Sequence, residues 1–160
     1  MTEIRFYLRE DEYGFLSNFE RTGFRDDQGT YWPTNEHFFQ AHMTQVEEVR
    51  KYIREAPHAW YAMILGRNIK KGHERALSDT KDFRIQLMLS GLRLKFQDPN
   101  LKKKLLDTGD AVLHEDDTEF WPPDKQDKFW GIAGDDWLGK LLMQVRDELR
   151  ISEENGDKKE

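Results

Sequence analysis

The stretch Trp32-Pro33-Thr34-Asn35-Glu36-His37-Phe38-Phe39-Gln40-Ala41 holds the densest set of groups able to do chemistry. It joins the end of an expected strand to the start of an expected helix, where backbone N–H groups without intrahelical partners and the helix dipole favour anions. Glu36 and Gln40 are four residues apart and share one helix face, which adjoins the core-facing Phe39 and Met43. A carboxylate and an amide at the edge of an apolar face are a pair suited to lining a ligand site. Read alone, Glu36 equally fits an acid that complements the dipole in a first turn. His37 and His42 are five apart and fall on different faces, unlike the four-residue spacing of a helical zinc pair.

Two further segments carry candidates. Asp127-Lys128-Phe129-Trp130-Gly131, continuing to Gly139, sets aromatics and glycines between two acids. Such a segment can wrap a planar ligand, or form a turn with a buried Trp130. In Gly66-Arg67-Asn68-Ile69-Lys70-Lys71, Arg67 and Lys70 could hold a phosphate, or the run is a solvated loop that compensates a helix C-terminus.

The elements that must position these groups follow from pattern. Ile4 to Leu8 reads as a strand, and Asp26-Asp27-Gln28-Gly29 as the turn of a hairpin between Gly23-Phe24-Arg25 and Thr30-Tyr31-Trp32. From Asn35 the spacing of Phe39, Met43, Val46, Val49 and Ile53 predicts a helix to about Glu55, capped by Thr34 or Asn35. Pro57 opens a second helix that Gly66 closes, with a basic loop from Arg67 to His73. Asp79 caps a long, largely buried helix to about Gln97, and Pro99 starts a shorter one ending at Gly109. Ala111 to His114 is a candidate strand. A last helix starts after Asp135 or Asp136, with a flexible tail from 151 to 160. This is one α+β domain, predominantly helical, over residues 1–150.

Composition bounds the function. With 160 residues, 12% of them aromatic, the chain can bury one sizeable core and is not disordered as a whole. The absence of cysteine excludes thiol nucleophiles, thiolate zinc sites and iron–sulfur clusters. No apolar run reaches the roughly 20 residues that span a bilayer, and the first residues lack a signal-peptide pattern, so a soluble, cytoplasmic protein is expected. A net charge of −6 gives no global attraction for nucleic acid, so such a partner would need a local basic surface.

Six blocks, in order and spacing, are similar to the YbiA-like, or NADAR, proteins: Tyr13-Gly14-x-x-Ser17-Asn18-Phe19, Trp32-Pro33-Thr34-x-Glu36-His37-x-Phe39-Gln40-Ala41, Gly66-Arg67, Lys95-Phe96, Phe129-Trp130-Gly131 and Leu138-Gly139-x-Leu141-Leu142-Met143-x-x-Arg146. The resemblance implies hydrolysis of an N-glycosidic bond, with no metal or organic cofactor. It implies as substrate a ribosylated metabolite, such as a phosphoribosyl intermediate of riboflavin synthesis, or ADP-ribosylated guanine in nucleic acid. A non-catalytic ADP-ribose or NAD binder is the third reading. By position, Glu36 and Asp127 match the family's catalytic acids, one to activate water and the other to stabilise the ribosyl cation or protonate the leaving nitrogen. Asn18 and Gln40 would bind ribose hydroxyls and Arg67 a phosphate, with Phe19, Trp32, Trp130 and Gly131 completing the substrate site.

This chain departs from the family where base or phosphate contacts are expected. Thr80 stands where the family has a stacking tryptophan, Met43 where it has a lysine, and Asp136 where it has an asparagine. A longer loop between Glu115 and Asp127 carries Phe120-Trp121-Pro122-Pro123. Trp121 either supplies the missing aromatic face or pins the loop to the surface.

Overall fold

The computed structural model describes residues 2–69 and 80–157. In chain order the elements are β1 (Glu3–Phe6), a 3-10 turn at Gly14–Leu16, β2 (Phe24–Arg25), β3 (Tyr31–Trp32), α1 (Asn35–His42), α2 (Glu47–Arg54), α3 (Ala59–Ile69), α4 (Lys81–Lys95), α5 (Pro99–Asp107), β4 (Val112–Glu115) and α6 (Trp137–Asp157). The fold is α+β and mostly helical, with short strands and a hairpin before the first helix. The chain packs as two compact units, Asn18–Lys95 and Met1–Ser17 together with Phe96–Glu160. Among the described residues no helix is long and apolar enough to cross a membrane.

In the unit Asn18–Lys95, β2 and β3 pair antiparallel with Phe24 opposite Trp32. Asp26 builds the turn between them: its Oδ1 accepts from the N–H groups of Gln28 and Thr30, and its Oδ2 from the Trp32 indole at 2.9 Å. Burial pushes the Asp26 carboxyl up, but these three donors outweigh it and hold the group below its ordinary value. Helix α1 packs against α2, α3 and α4, around a core of Trp32, Phe38, Ala41, Ile53, Ala56 and Ala62.

The single helix expected from Asn35 to about Glu55 is two helices. Thr44 Oγ1 accepts from Val46 N–H, and Arg50 donates to the Thr44 carbonyl, so the chain turns between α1 and α2. An unbroken helix would carry Ile53 roughly 27 Å along its axis from Asn35. The turn instead returns Ile53, fully buried, to the Trp32–Phe38 core. Gly66 does not close its helix either. Helix α3 continues to Ile69, which places Arg67 in its last turn and not in a loop. Lys70, Lys71 and the expected cap Asp79 lie outside the described residues. Thr80 caps α4, its Oγ1 accepting from Phe83 N–H. The burial expected along that whole helix is confined to its C-terminal half, at Met88, Leu89, Gly91, Leu92 and Lys95.

In the other unit, β1 and β4 pair in parallel, with Ile4 opposite Leu113 and Phe6 opposite Glu115. Helix α6 packs on β4 and on α5 and buries Leu138, Leu141, Leu142 and Val145. Asp98 caps α5 by accepting from the N–H groups of Asn100 and Leu101, with Pro99 in the first turn. Helix α6 runs past Ile151 to Asp157, its residues 151–156 exposed.

Candidate active site

The N-terminus of α1 is set by Thr34, whose Oγ1 accepts from His37 N–H at 3.2 Å. His37 is 1% exposed, and its Nε2 donates to the Ala56 carbonyl at 3.0 Å. The Thr34 hydroxyl can then donate to Nδ1, 2.8 Å away, which fixes the neutral tautomer. Burial holds the His37 imidazole below its ordinary pKa. Glu36 N–H donates to the Asn18 carbonyl at 3.1 Å. First-turn N–H groups at Glu36 and His37 are thus taken up by protein acceptors.

The same contacts seat the side chain of Glu36. It is 8% exposed, and its Oε1 accepts from Gln40 Nε2 at 2.7 Å. A carboxylate buried and hydrogen-bonded in this way is more than a surface charge facing a dipole. Asn18 is also buried; its Oδ1 accepts from Asn35 Nδ2 at 2.8 Å, and the same amide reaches Met88 Sδ at 3.4 Å. The structure therefore brings Asn18, Glu36 and Gln40 together through neighbouring backbone and side-chain bonds.

Other expected site residues of this unit are placed differently. Trp32 is 3% exposed, edge-on to Phe38 at 5.6 Å, with His42 at 5.0 Å and the Arg54 guanidinium 5.7 Å over its ring. Its ring packs in the core. Phe19 is half-buried and Arg67 exposed. Thr80 is exposed and Met43 buried. Lys95, not singled out for chemistry by the sequence, is buried; burial lowers its ammonium to about 7, with the Glu20 charge acting in the opposite direction. The signal for this was the i, i+4, i+7 row Met88, Leu92, Lys95.

In the unit that holds the C-terminal helix, Asp127 organises the Phe129-Trp130-Gly131 segment. Its Oδ1 accepts from the N–H groups of Phe129 at 2.8 Å and Trp130 at 2.7 Å. Its own N–H donates to Oδ2 of the buried Asp117 at 2.8 Å. Trp130 is half-buried and edge-on to Phe129 at 4.6 Å. Gly131 is buried where a Cβ would come within 3.1 Å of the Asp127 carbonyl. The turn reading thus describes the backbone here. Trp121 is 47% exposed and donates from Nε1 to Tyr7 Oη at 2.8 Å, while Phe120 packs on Tyr7 at 4.8 Å. These contacts pin the long loop.

One acid here escaped the sequence reading, and a second was read without its partner. Asp117 left no signal, because its role as acceptor for Asp127 depends on a loop closure across ten residues. Asp136 bonds through Oδ2 to His114 Nδ1 at 2.6 Å, both side chains mostly buried. Asp136 has φ +55, a left-handed conformation that asparagine and aspartate adopt more readily than bulkier residues. His114 on β4 is the partner that only the packing of α6 supplies.

Among the described residues no group of three or more His, Asp or Glu side chains is placed to hold a metal ion. A groove of about 460 Å³ lined by Val49, Tyr52, Leu65 and Ile69 contains none of the expected site residues.

A sequence model of the NADAR domain matches residues 5–150. The chain is 37% identical to N-glycosidase YbiA of Shigella flexneri over 155 residues, 94% of this chain and 90% of that protein. It is 34% identical to a riboflavin biosynthesis protein of Vibrio vulnificus, over 92% of this chain and 38% of the other. The NMR structure of the E. coli protein YbiA superposes with a TM-score of 0.80 at 34% identity, covering 95% of this chain and 87% of that one. With its motifs, its fold and these matches in agreement, the chain belongs to the NADAR domain family.

Proposed function

We propose that the chain is an N-glycosidase that hydrolyses the C1′–N bond of a ribosylated nitrogenous base, with Glu36 as the carboxylate at the reacting centre. The observation that carries the assignment is the buried Glu36 carboxylate, held by Gln40 at 2.7 Å, in a chain whose relatives are named N-glycosidases. Breaking the C1′–N bond leaves its electron pair on nitrogen and builds positive charge on the ribose. A nearby carboxylate stabilises that charge or takes a proton from the attacking water, whose oxygen forms the new bond to C1′. The proton released goes to the leaving nitrogen, and the products are the free sugar and the free base. Asp127, by its position before Phe129-Trp130-Gly131, is proposed as the second acid, and Asn18 and Arg67 as contacts to ribose and phosphate.

A phosphoribosyl metabolite is the substrate class we favour, because relatives that span this domain carry riboflavin biosynthesis in their names. The Glu36→Gln variant is expected to lose turnover by at least about 10²-fold while its unfolding transition stays in place. Substantial turnover by that variant overturns the assignment. Assaying the wild type on a ribosylaminopyrimidine phosphate and on ADP-ribosylated guanine oligonucleotides, each at two salt concentrations, separates the substrates. A metabolite enzyme prefers the first with little salt dependence. Preference for the oligonucleotide, falling steeply with salt, would reassign the substrate to nucleic acid.

A further inference from the structure

We propose that Gly66 on α3 fixes the position of the Glu36 carboxylate through Gln40, so that Gln40 and Gly66 are positioning residues for the reaction; this rests on the reading of Glu36 given above.

Gln40 follows Glu36 by one helical turn, and both side chains are more than nine-tenths buried. Its Nε2 donates to Glu36 Oε1 at 2.7 Å. The other end of the amide, Oε1, is buried without a hydrogen-bond partner among the described residues. That oxygen lies where a side chain at residue 66 would begin: a Cβ on Gly66 would stand 2.0 Å from Oε1 and 2.7 Å from the amide carbon. The amide therefore rests directly on the α3 backbone, a contact that a Cα–H can make toward a carbonyl oxygen. A flipped amide would turn its oxygen on the Glu36 carboxylate, oxygen against oxygen with no proton between them. The slot and the carboxylate together leave Gln40 one orientation, with its N–H toward Glu36.

Helix economy does not explain Gly66. Glycine is the poorest interior helix former after proline, and Gly66 is not in the left-handed conformation that would require it. Close approach does explain it. The same device recurs at Gly91 on α4, where a Cβ would stand 2.0 Å from the Oδ1 of Asn35, whose amide holds Asn18. Two glycines on two helices thus seat two amides of α1.

A methyl group at residue 66 overlaps mainly the end of a flexible side chain, and its 2.9 Å approach to the Gln40 Cβ asks only a small shift between α1 and α3, so Gly66→Ala should fold with Gln40 turned away from Glu36. Losing an N–H donor raises a carboxyl pKa. The test is a carbon-13 NMR titration of the Glu36 carboxyl, assigned by its loss in Glu36→Gln, together with kcat and KM, in the full chain. Gly66→Ala and Gln40→Met are expected to raise the Glu36 titration and to lower kcat on the order of 10²-fold with KM little changed. The double variant should match either single one. A Glu36 titration unmoved in Gly66→Ala, or effects of the two substitutions that multiply, overturns the proposal. Should Gly66→Ala fail to fold, an unmoved titration in Gln40→Met overturns it alone. Full turnover by Glu36→Gln would instead sink the catalytic reading of Glu36, whatever the titration shows.

Discussion

Asp127 is one carboxylate with two demands on it. Its Oδ1 already accepts two backbone N–H groups, those of Phe129 and Trp130, which accounts for an acid before this aromatic turn without any appeal to catalysis. An asparagine keeps an oxygen for both bonds and gives up the charge, whereas an alanine gives up both. We expect Asp127→Asn to hold its unfolding free energy within about 0.5 kcal/mol while kcat drops on the order of 10²-fold, and Asp127→Ala to lose about 1–2 kcal/mol as well. Urea unfolding and turnover measured on both variants check this. Full turnover in Asp127→Asn would assign the residue to the turn alone. At this scale the Glu36–Gln40 pair was legible, because partners four apart on a helix meet whatever the rest of the chain does. The His114–Asp136 pair, 22 residues apart, was not, since it forms only when β4 and α6 pack. Trp32 was legible as an aromatic, but its surroundings were not: its ring is enclosed by Phe38, His42 and Arg54, which sequence order does not place around it.

Helix starts were easier to read than helix ends. Thr34 caps α1 and Pro99 opens α5 as their chemistry dictates, and the Asp26 to Gly29 turn closes its hairpin. Since the cap of α1 also orders the residues that hold Glu36, Thr34→Ala is expected to cost about 1–2 kcal/mol by the loss of the His37 N–H acceptor, read by thermal or urea unfolding. Ends were misplaced where packing overrode a local signal. Gly66 looked like a terminator, yet its missing side chain serves contact with Gln40, and the helix goes on to Ile69. Gly139 is a parallel case on α6, where a Cβ would stand 2.0 Å from the Leu113 carbonyl of β4. Replacing it by alanine should improve the helix by about 0.5–1 kcal/mol. The overlap is with backbone, which cannot swing aside, so a strain of about 1–3 kcal/mol should win. A Gly139→Ala variant that unfolds at or above the wild-type temperature would contradict this packing.

For the molecule as a whole, burial of imidazoles ties stability to pH. His37 and His42 are both held below their ordinary pKa by burial. The unfolded chain therefore binds protons at these sites more readily than the native one. Their contribution is complete above about pH 6.5 and declines as pH falls through the unfolded value toward the native ones. Urea unfolding at pH 7.5 and pH 5.5 should show a loss at the lower pH that is smaller in His37→Gln; an equal loss in that variant would exclude His37 as a source. The sequence by itself determined the mostly helical α+β class, the strands, the hairpin, the family and the Glu36–Gln40 face. Each of these rests on side-chain periodicity, on turn chemistry or on motif order, which are local in the chain. Only the tertiary structure decided that the first long helix breaks at Thr44, that Trp32 belongs to the core, that Asp127 anchors a turn and that Gly66 seats Gln40. Those outcomes depend on which distant surfaces fill the same space, and a one-dimensional pattern of residue types does not encode which neighbour removes a given atom from water.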